Sequence, residues 1–366
     1  LGTSSRAQNL IELSDAAPTI SRKVIVSERD RHVICFGANP IGQSVQDRLL
    51  IRFSSQENPF FWTPTATNTA GDLRVGSGSE IITAVKTRRE MIVLTDTSVH
   101  SMQFIGPPFT FGINQLASSI TVRGFNTAVA VGDAVFWMGY DRFYIYDGRV
   151  QVIPCSVRDH VFQDFNETQS DKVYAGVNSA FGEVFWFYPS ATNAVANGGT
   201  GENDKYVVYN YDQKIWYVGS LARSSWIDRG VYQYPMATDS NLVYNHEKGN
   251  DNDGTAFTSF IESSPIDVQD GDQFVFLRRM IPDISFENSD SNISNDNKQA
   301  VLSLKAQRSP NGGFVKTSTN TVTSTTELNH LRLRGRSFGL RVESTTQGVN
   351  WRLGTQRVDL RADGDR

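Results

Sequence analysis

Short apolar runs separated by polar turns recur along the chain, at 49–53 (LLIRF), 91–95 (MIVLT), 134–138 (AVFWM), 183–187 (EVFWF) and 241–245 (NLVYN). Four are followed by a return segment closed by hydrophobic residues: Phe60-Phe61-Trp62, Met102-Gln103-Phe104-Ile105, Phe143-Tyr144-Ile145-Tyr146, and Val207-Val208-Tyr209 with Ile215-Trp216. Successive starts lie roughly 42, 43, 49 and 58 residues apart, near the period of about 40–50 residues of a blade in a radial β-repeat. A unit of this size cannot bury its own apolar face and must stack on the next.

The rhythm is clearest between Asn126 and Pro154. It predicts strands over 126–131, 134–139, 143–146 and 150–153, with turns at Gly132-Asp133, at Tyr140-Asp141-Arg142 and at Asp147-Gly148. Asp-Gly between two apolar runs is a hairpin signal, because both central residues of the tight turn need positive φ. Four strands in so short a span make one propeller blade. Helix signals are few. Candidates are 115–119 and 156–168, the latter with Val157, Val161 and Phe165 on one face and Ser156 as N-cap.

After about Pro265 the cadence is lost. The alternating segments 274–277, 300–305, 338–342, 351–353 and 358–360 predict a small antiparallel sandwich. The expected fold is therefore all-β: a β-propeller-like repeat with about five blades visible over 1–264, and a C-terminal antiparallel β-sandwich-like region over 265–366. Two insertions, 190–204 and 287–298, are rich in Asn, Ser, Asp or Gly and read as solvated loop tips. The chain starts at Leu1 with a polar stretch, which suggests the C-terminal portion of a longer polypeptide, the missing part either completing the first blade or adding others.

Composition narrows the function classes. At 39% hydrophobic and 20% charged, the chain has material for a core and is not a disordered segment. A net charge of −4 removes bulk attraction to nucleic acid or anionic membrane, so any such contact is local. No apolar run approaches the roughly 20 residues that span a bilayer, so no membrane insertion is expected. Cys35 and Cys155 lie far apart in apolar surroundings and read as free, buried thiols.

Candidate chemistry is thin. The five histidines are scattered without metal-ligand spacing, and no GxSxG elbow or P-loop occurs. The stretch 247–254 resembles a calcium loop but has Gly249 where the first aspartate belongs. Trp137, Trp186, Trp216 and Trp226 suit either inter-blade core or a sugar platform, and their place within the repeat favours core. Neither a cofactor nor a catalytic residue is expected.

The basic segment 331–336 (LRLRGR) stands out. Alternation puts Arg332, Arg334 and Arg336 on one strand face, and Arg341 follows with Arg352, Arg357 and Arg361. Residues 331–366 hold eight Arg against Glu343, Asp359, Asp363 and Asp365. Such a stripe can face phosphates, pair with carboxylates of a neighbouring subunit, or be a solvated strand face.

Several stretches together resemble one family. They are Arg29-Asp30-Arg31-His32-Val33-Ile34, 47–55 (DRLLIRFSS) with Gln56-Glu57-Asn58, Trp62-Thr63-Pro64 and 68–73 (NTAGDL). With them go Thr95-Asp96-Thr97-Ser98, Gly106-Pro107-Pro108-Phe109, 206–211, Trp216-Tyr217, Asp228-Arg229-Gly230 and the ending from Trp351-Arg352-Leu353-Gly354 to Asp363-Gly364. Taken over nearly the whole chain, the sequence is similar to tail structural proteins of tailed bacteriophages, of the tail tubular, nozzle or DNA-stabilisation type in marine short-tailed phages. That resemblance implies a propeller in the wall of a six-fold ring, with DNA passing through during ejection. The implied partners are copies of itself in a hexamer, adaptor and fibre proteins of the tail, and transiently the phage DNA. It also implies a place in the virion tail, assembled in the host cytoplasm. Two other classes stand beside it: a tail-tip propeller that binds a host glycan, and a propeller glycosidase, which would need two carboxylates facing one pocket.

Overall fold

The computed structural model describes residues 9–268 and 270–364; Asp365 and Arg366 of the basic C-terminal count lie outside the described residues, as does the opening of the chain from Leu1. The protein is all-β and divides into two compact units, Leu1–Glu247 and Lys248–Arg366. The boundary thus falls ahead of 264/265, since strand Ser259–Glu262 pairs with Ser337–Ser344 of the second unit.

The first unit is a β-propeller-like succession of antiparallel meanders. Sheet 1 holds Lys23–Ser27, His32–Phe36, Leu50–Phe53 and Gly71–Arg74. Sheet 2 holds Ile81–Lys86, Met91–Thr95, Ser98–Gly106 and Thr110–Ser118. Sheet 3 holds Ala128–Val131, Ala134–Met138, Phe143–Tyr146 and Val150–Ile153, and sheet 4 holds Tyr174–Asn178, Glu183–Tyr188, Lys205–Asn210 and Ile215–Ser220. Sheet 5 has three strands, Ser225–Ile227, Met236–Asp239 and Leu242–Asn245. In each case the first strand of a sheet contacts the first strand of the next.

Period-two alternation explains the stacking. On Ala134–Met138, Val135 and Trp137 pack toward Ile92 and Leu94 of sheet 2, while Phe136 and Met138 pack toward Val184 and Trp186 of sheet 4. Both faces are apolar, so the strand reads as a continuous hydrophobic run. Phe185 and Phe187 then carry the stack to Trp226 and Ala237 of sheet 5. At the other end, Ile34, Phe36, Ile51 and Phe53 of sheet 1 meet Met91, Val93 and Met102 of sheet 2. The hairpin after Tyr146 is formed, but through a three-residue turn, Asp147-Gly148-Arg149, in which only Gly148 has positive φ, at 106°, rather than both residues of an Asp-Gly pair.

Three further local expectations are corrected. Residues 115–119 are not helical: Thr110–Ser118 is a strand pairing along Ser98–Gly106, because the long hairpin satisfies the backbone that a lone turn of helix would leave open. Residues 156–168 form a helix only over Arg158–Gln163, with Val157 rather than Ser156 at the N-cap and with Val161 buried. Phe60-Phe61-Trp62 is a loop in which Trp62 is buried and its amide donates to Asp15 Oδ1 at 2.7 Å. The loop 190–204 carries a short 3-10 turn, Val195–Asn197, and Asn193 holds it through bonds to Thr200.

The second unit is a sandwich. Its larger sheet pairs Ser259–Glu262, Ser337–Ser344, Gln299–Gln307 and Phe314–Thr323 in that order, with Ile266–Asp267 also on Ser337–Ser344. Its smaller sheet has Val275–Ile281 between Asn329–Gly335 and Arg357–Ala362. Leu277, Met280, Leu331 and Leu333 of the smaller sheet share one core with Leu302, Leu304 and Val342 of the larger.

Candidate functional site

The smaller sheet of the second unit carries the arginines. Along Asn329–Gly335 burial alternates strictly: Leu331 and Leu333 are buried, Arg332 is exposed and Arg334 half-buried. Register extends the outer face across the other two strands. Phe276 sits opposite Arg334 on one side and Arg361 on the other. Arg279 sits opposite His330 and Asp359, and Ile281 opposite Arg357. Since Val275, Leu277 and Met280 point into the core, these partners point outward. A bulge between Leu277 and Arg279 re-aims the central strand and leaves Arg278 exposed.

Among the described residues, two ion pairs are made on this face. Arg334 pairs with Asp363, and Arg279 with Asp359 at 3.0 Å. Exposed pairs like these contribute little to stability, about 0–1 kcal/mol each. Phe274 organises one end: the guanidinium carbons of Arg334 and Arg336 lie 4.2 and 4.8 Å from its ring centre. Arg336 follows the strand end, and its amide donates to the Gln307 carbonyl at 2.9 Å. Arginines interleaved with phenylalanine, on a rigid sheet, suit a polyanion or a carboxylate-rich protein surface.

Arg341 does not join them. It lies on the outer face of the larger sheet, donating to Glu262 at 2.8 Å and to Glu343 Oε2 at 2.7 Å, over the Phe260 ring at 4.0 Å. Hydrogen bonds from Lys305 and then Arg341 hold the Glu262 carboxyl below the usual range. This arginine is neutralised where it stands. Sequence alternation located Arg332 and Arg334 on one face; it could not supply Arg361, Arg279 and Arg357, which arrive there only through strand pairing.

The four tryptophans singled out by the repeat are inter-sheet ties. The Trp186 indole donates to the Thr127 carbonyl at 2.9 Å, and that of Trp226 to Val177 at 2.7 Å. Trp137 donates to Thr121 at 3.2 Å and Trp216 to Pro154 at 2.8 Å. With these donors used and three of the four rings buried, they form no sugar platform.

Two acids that the sequence placed only within an apolar run and a loop stretch have perturbed carboxyls. Glu183 and Glu247 lie between sheets 4 and 5, and burial raises both carboxyls above the usual range. Tyr217 Oη donates to Glu183 and Asn178 Nδ2 to Glu247 at 3.1 Å. Cys35 and Cys155 are free thiols, each pushed up to about 11 by burial. Among the described residues, no group of three or more His, Cys, Asp or Glu is placed to hold a metal, and no helix is long and apolar enough to cross a membrane.

No family model matches the chain, and no curated protein does. Among solved structures it is similar to the extracellular domain of a one-component system from B. thetaiotaomicron, at 8% identity and a TM-score of 0.34 over 64% of this chain and 33% of that one. It is also similar to that of a hybrid two-component system from B. thetaiotaomicron, at 7% identity and a TM-score of 0.33 over 62% of this chain and 33% of that one. The chain thus spans about a third of the length of either. A glycoside hydrolase is similar at 10% identity and a TM-score of 0.28, over 91% of this chain and 97% of that one.

Proposed function

We propose that this chain is a structural component of a bacteriophage tail, the nozzle or tubular ring through which DNA passes during ejection. The sequence resemblance motivates the reading, and one observation supports it most: the outward arginine face built from Arg332, Arg334, Arg361, Arg279 and Arg357. A protein whose work is geometric needs stiff units and a complementary surface, and sheets tied by buried tryptophans supply the stiffness. Copies of the chain contacting head to tail would close a ring, a hexamer by the resemblance. The arginine face would then lie at a subunit contact or line the passage, alongside adaptor and fibre proteins.

Immunogold labelling of intact virions with antibodies against the chain tests this. Label at the tail is the expected result; virions without label would overturn it. A second reading, a tail-tip adhesin for a host glycan, draws on a cavity lined by residues 27–30, 86–91, Met102, Phe104, Ala130 and Gly132, and a host-adsorption assay separates the two.

A further inference from the structure

The first hairpins of sheets 1, 2 and 3 end together around a cavity of about 360 Å3. That lies within the range of small-molecule sites, about 300–1,000 Å3. Residues 27–30 supply one wall, 86–91 the second, and Ala130 with Gly132 the third. We infer that this cavity binds an acidic sugar, with one negative charge and several hydroxyls, through Arg29, Arg88, Glu90 and Phe104.

The charges set the ligand class. Lys86 is committed to Glu28 at 2.8 Å, and Arg89 to Asp133 at 3.3 Å. Arg29 and Arg88 are both exposed, and among the described residues neither meets a carboxylate. Two guanidiniums without an acid partner favour an anionic group. Glu28, Asp30 and Glu90 line the same cavity against Arg29, Lys86, Arg88 and Arg89, a balance of +1 that matches one negative charge better than a multiply charged phosphate.

Glu90 gives the hydroxyl preference. Its carboxylate accepts Tyr146 Oη at 2.6 Å, Gln103 Nε2 at 3.1 Å and the Ser101 hydroxyl. A carboxylate offers about four acceptor positions, so one remains for a ligand hydroxyl. With its charge already answered by three donors, it is a weak partner for an ammonium, which disfavours a free amino acid. Because Tyr146 belongs to sheet 3 and Glu90 to sheet 2, the bond also fixes that wall. Beneath it Met91 and Met102 are buried, while Phe104, packed on His32 and Phe111, lines the cavity at 36% exposure and supplies apolar surface for one side of a pyranose.

The test is calorimetric or NMR titration of the whole chain with methyl glucuronide. Methyl glucoside, inorganic phosphate and phenylalanine serve as controls. Glucuronide is expected to bind at millimolar concentration, and the neutral glucoside not to. Arg29→Glu with Arg88→Glu should weaken glucuronide roughly tenfold or more, and Phe104→Ala should weaken it with the charge intact. Both arginines are exposed, so unchanged melting temperatures will certify the fold. Absent glucuronide binding, binding that survives the double arginine variant, or tighter binding of phosphate or phenylalanine would each overturn the assignment. Tail labelling is unaffected by any of these outcomes.

Discussion

The indole N–H of Trp186, in sheet 4, donates to the carbonyl of Thr127, at the entry to sheet 3, across 2.9 Å. Both residues have no measurable exposure, so neither group has water to fall back on. Replacing Trp186 by Phe keeps most of the apolar surface and leaves the Thr127 carbonyl short of this donor. That carbonyl still accepts the Met138 amide at 3.3 Å, so the loss is one buried hydrogen bond, about 0.5–1.5 kcal/mol. Thermal or urea unfolding should show a loss of that order; an unchanged midpoint would mean the tie carries no stability.

Gly176 shows how closely sheets 4 and 5 approach. A Cβ at this position would stand 2.5 Å from Trp226 Cδ1, on a ring that stacks against Phe185 at 5.2 Å. Gly176→Ala should therefore push Trp226 off its seat and cost about 1–3 kcal/mol, the usual cost of overpacking. Trp226 fluorescence should shift toward the red as the ring gains water. A variant with wild-type emission and stability would show that sheet 5 accommodates the methyl freely.

Much of this stacking was legible in the sequence, because a strand buried on both faces has a simple signature. The run AVFWM has no polar position and EVFWF has one only at its start, Glu183, and the turn at Asp147-Gly148 sets the register of Phe143–Tyr146 against Val150–Ile153. The first repeat was less legible. Leu50–Phe53 is the third strand of its sheet, whereas Met91–Thr95, Ala134–Met138 and Glu183–Tyr188 are second strands, so the apparent return at Phe60-Phe61-Trp62 fell out of phase. The arginine face was half legible. Alternation within one strand exposes Arg332 and Arg334, but only hydrogen-bond register brings Arg361 and Arg334 to either side of Phe276. Long-range pairing leaves no local trace.

Sheet 5 is expected to weaken in mild acid. Burial first, and the Arg223 charge second, push the His246 pKa down to about 4, while Arg223 Nε donates to its Nε2 at 2.8 Å. The unfolded chain takes up this proton near pH 6.5, roughly the reference value. Between about pH 6.5 and 4 the unfolded state binds more protons, so stability is complete above that window and falls as pH drops through it. The loss should be on the order of 1 kcal/mol by about pH 5, allowing for partial exposure. His246→Gln retains an acceptor for Arg223 without a titrating proton. Its unfolding midpoint should change less between pH 7 and 5 than that of the wild type; identical pH slopes would remove His246 as the cause.

Glu247 behaves in the opposite sense. Burial raises its carboxyl, so the fold favours the protonated form, and the cost of ionising it appears as pH rises through the folded pKa. Glu247→Gln keeps an oxygen to accept from Asn178 and removes a charge that is partly desolvated although the residue is exposed. At neutral pH the variant should be as stable as the wild type or more so, by no more than a few tenths of a kcal/mol (~0.3), because solvent screens so exposed a group. A clear loss in urea unfolding would show that the charge itself is needed.

The arginine face is tested by reversing it. Arg332 is exposed, while Arg334 meets Asp363 and the Phe274 ring, so Arg334→Glu sets two acids together and costs about 1 kcal/mol locally. The double variant Arg332→Glu, Arg334→Glu should still fold, as circular dichroism will show, because Leu331 and Leu333 keep the strand in the core. If the face meets a neighbouring subunit, particles carrying the variant should lack complete tails. If it lines the passage, tails should form but release DNA poorly, and DNA affinity of the purified chain should lose its steep salt dependence. Particles of normal tail morphology and normal infectivity would remove these arginines from both roles, whatever the remainder of the chain does in the tail.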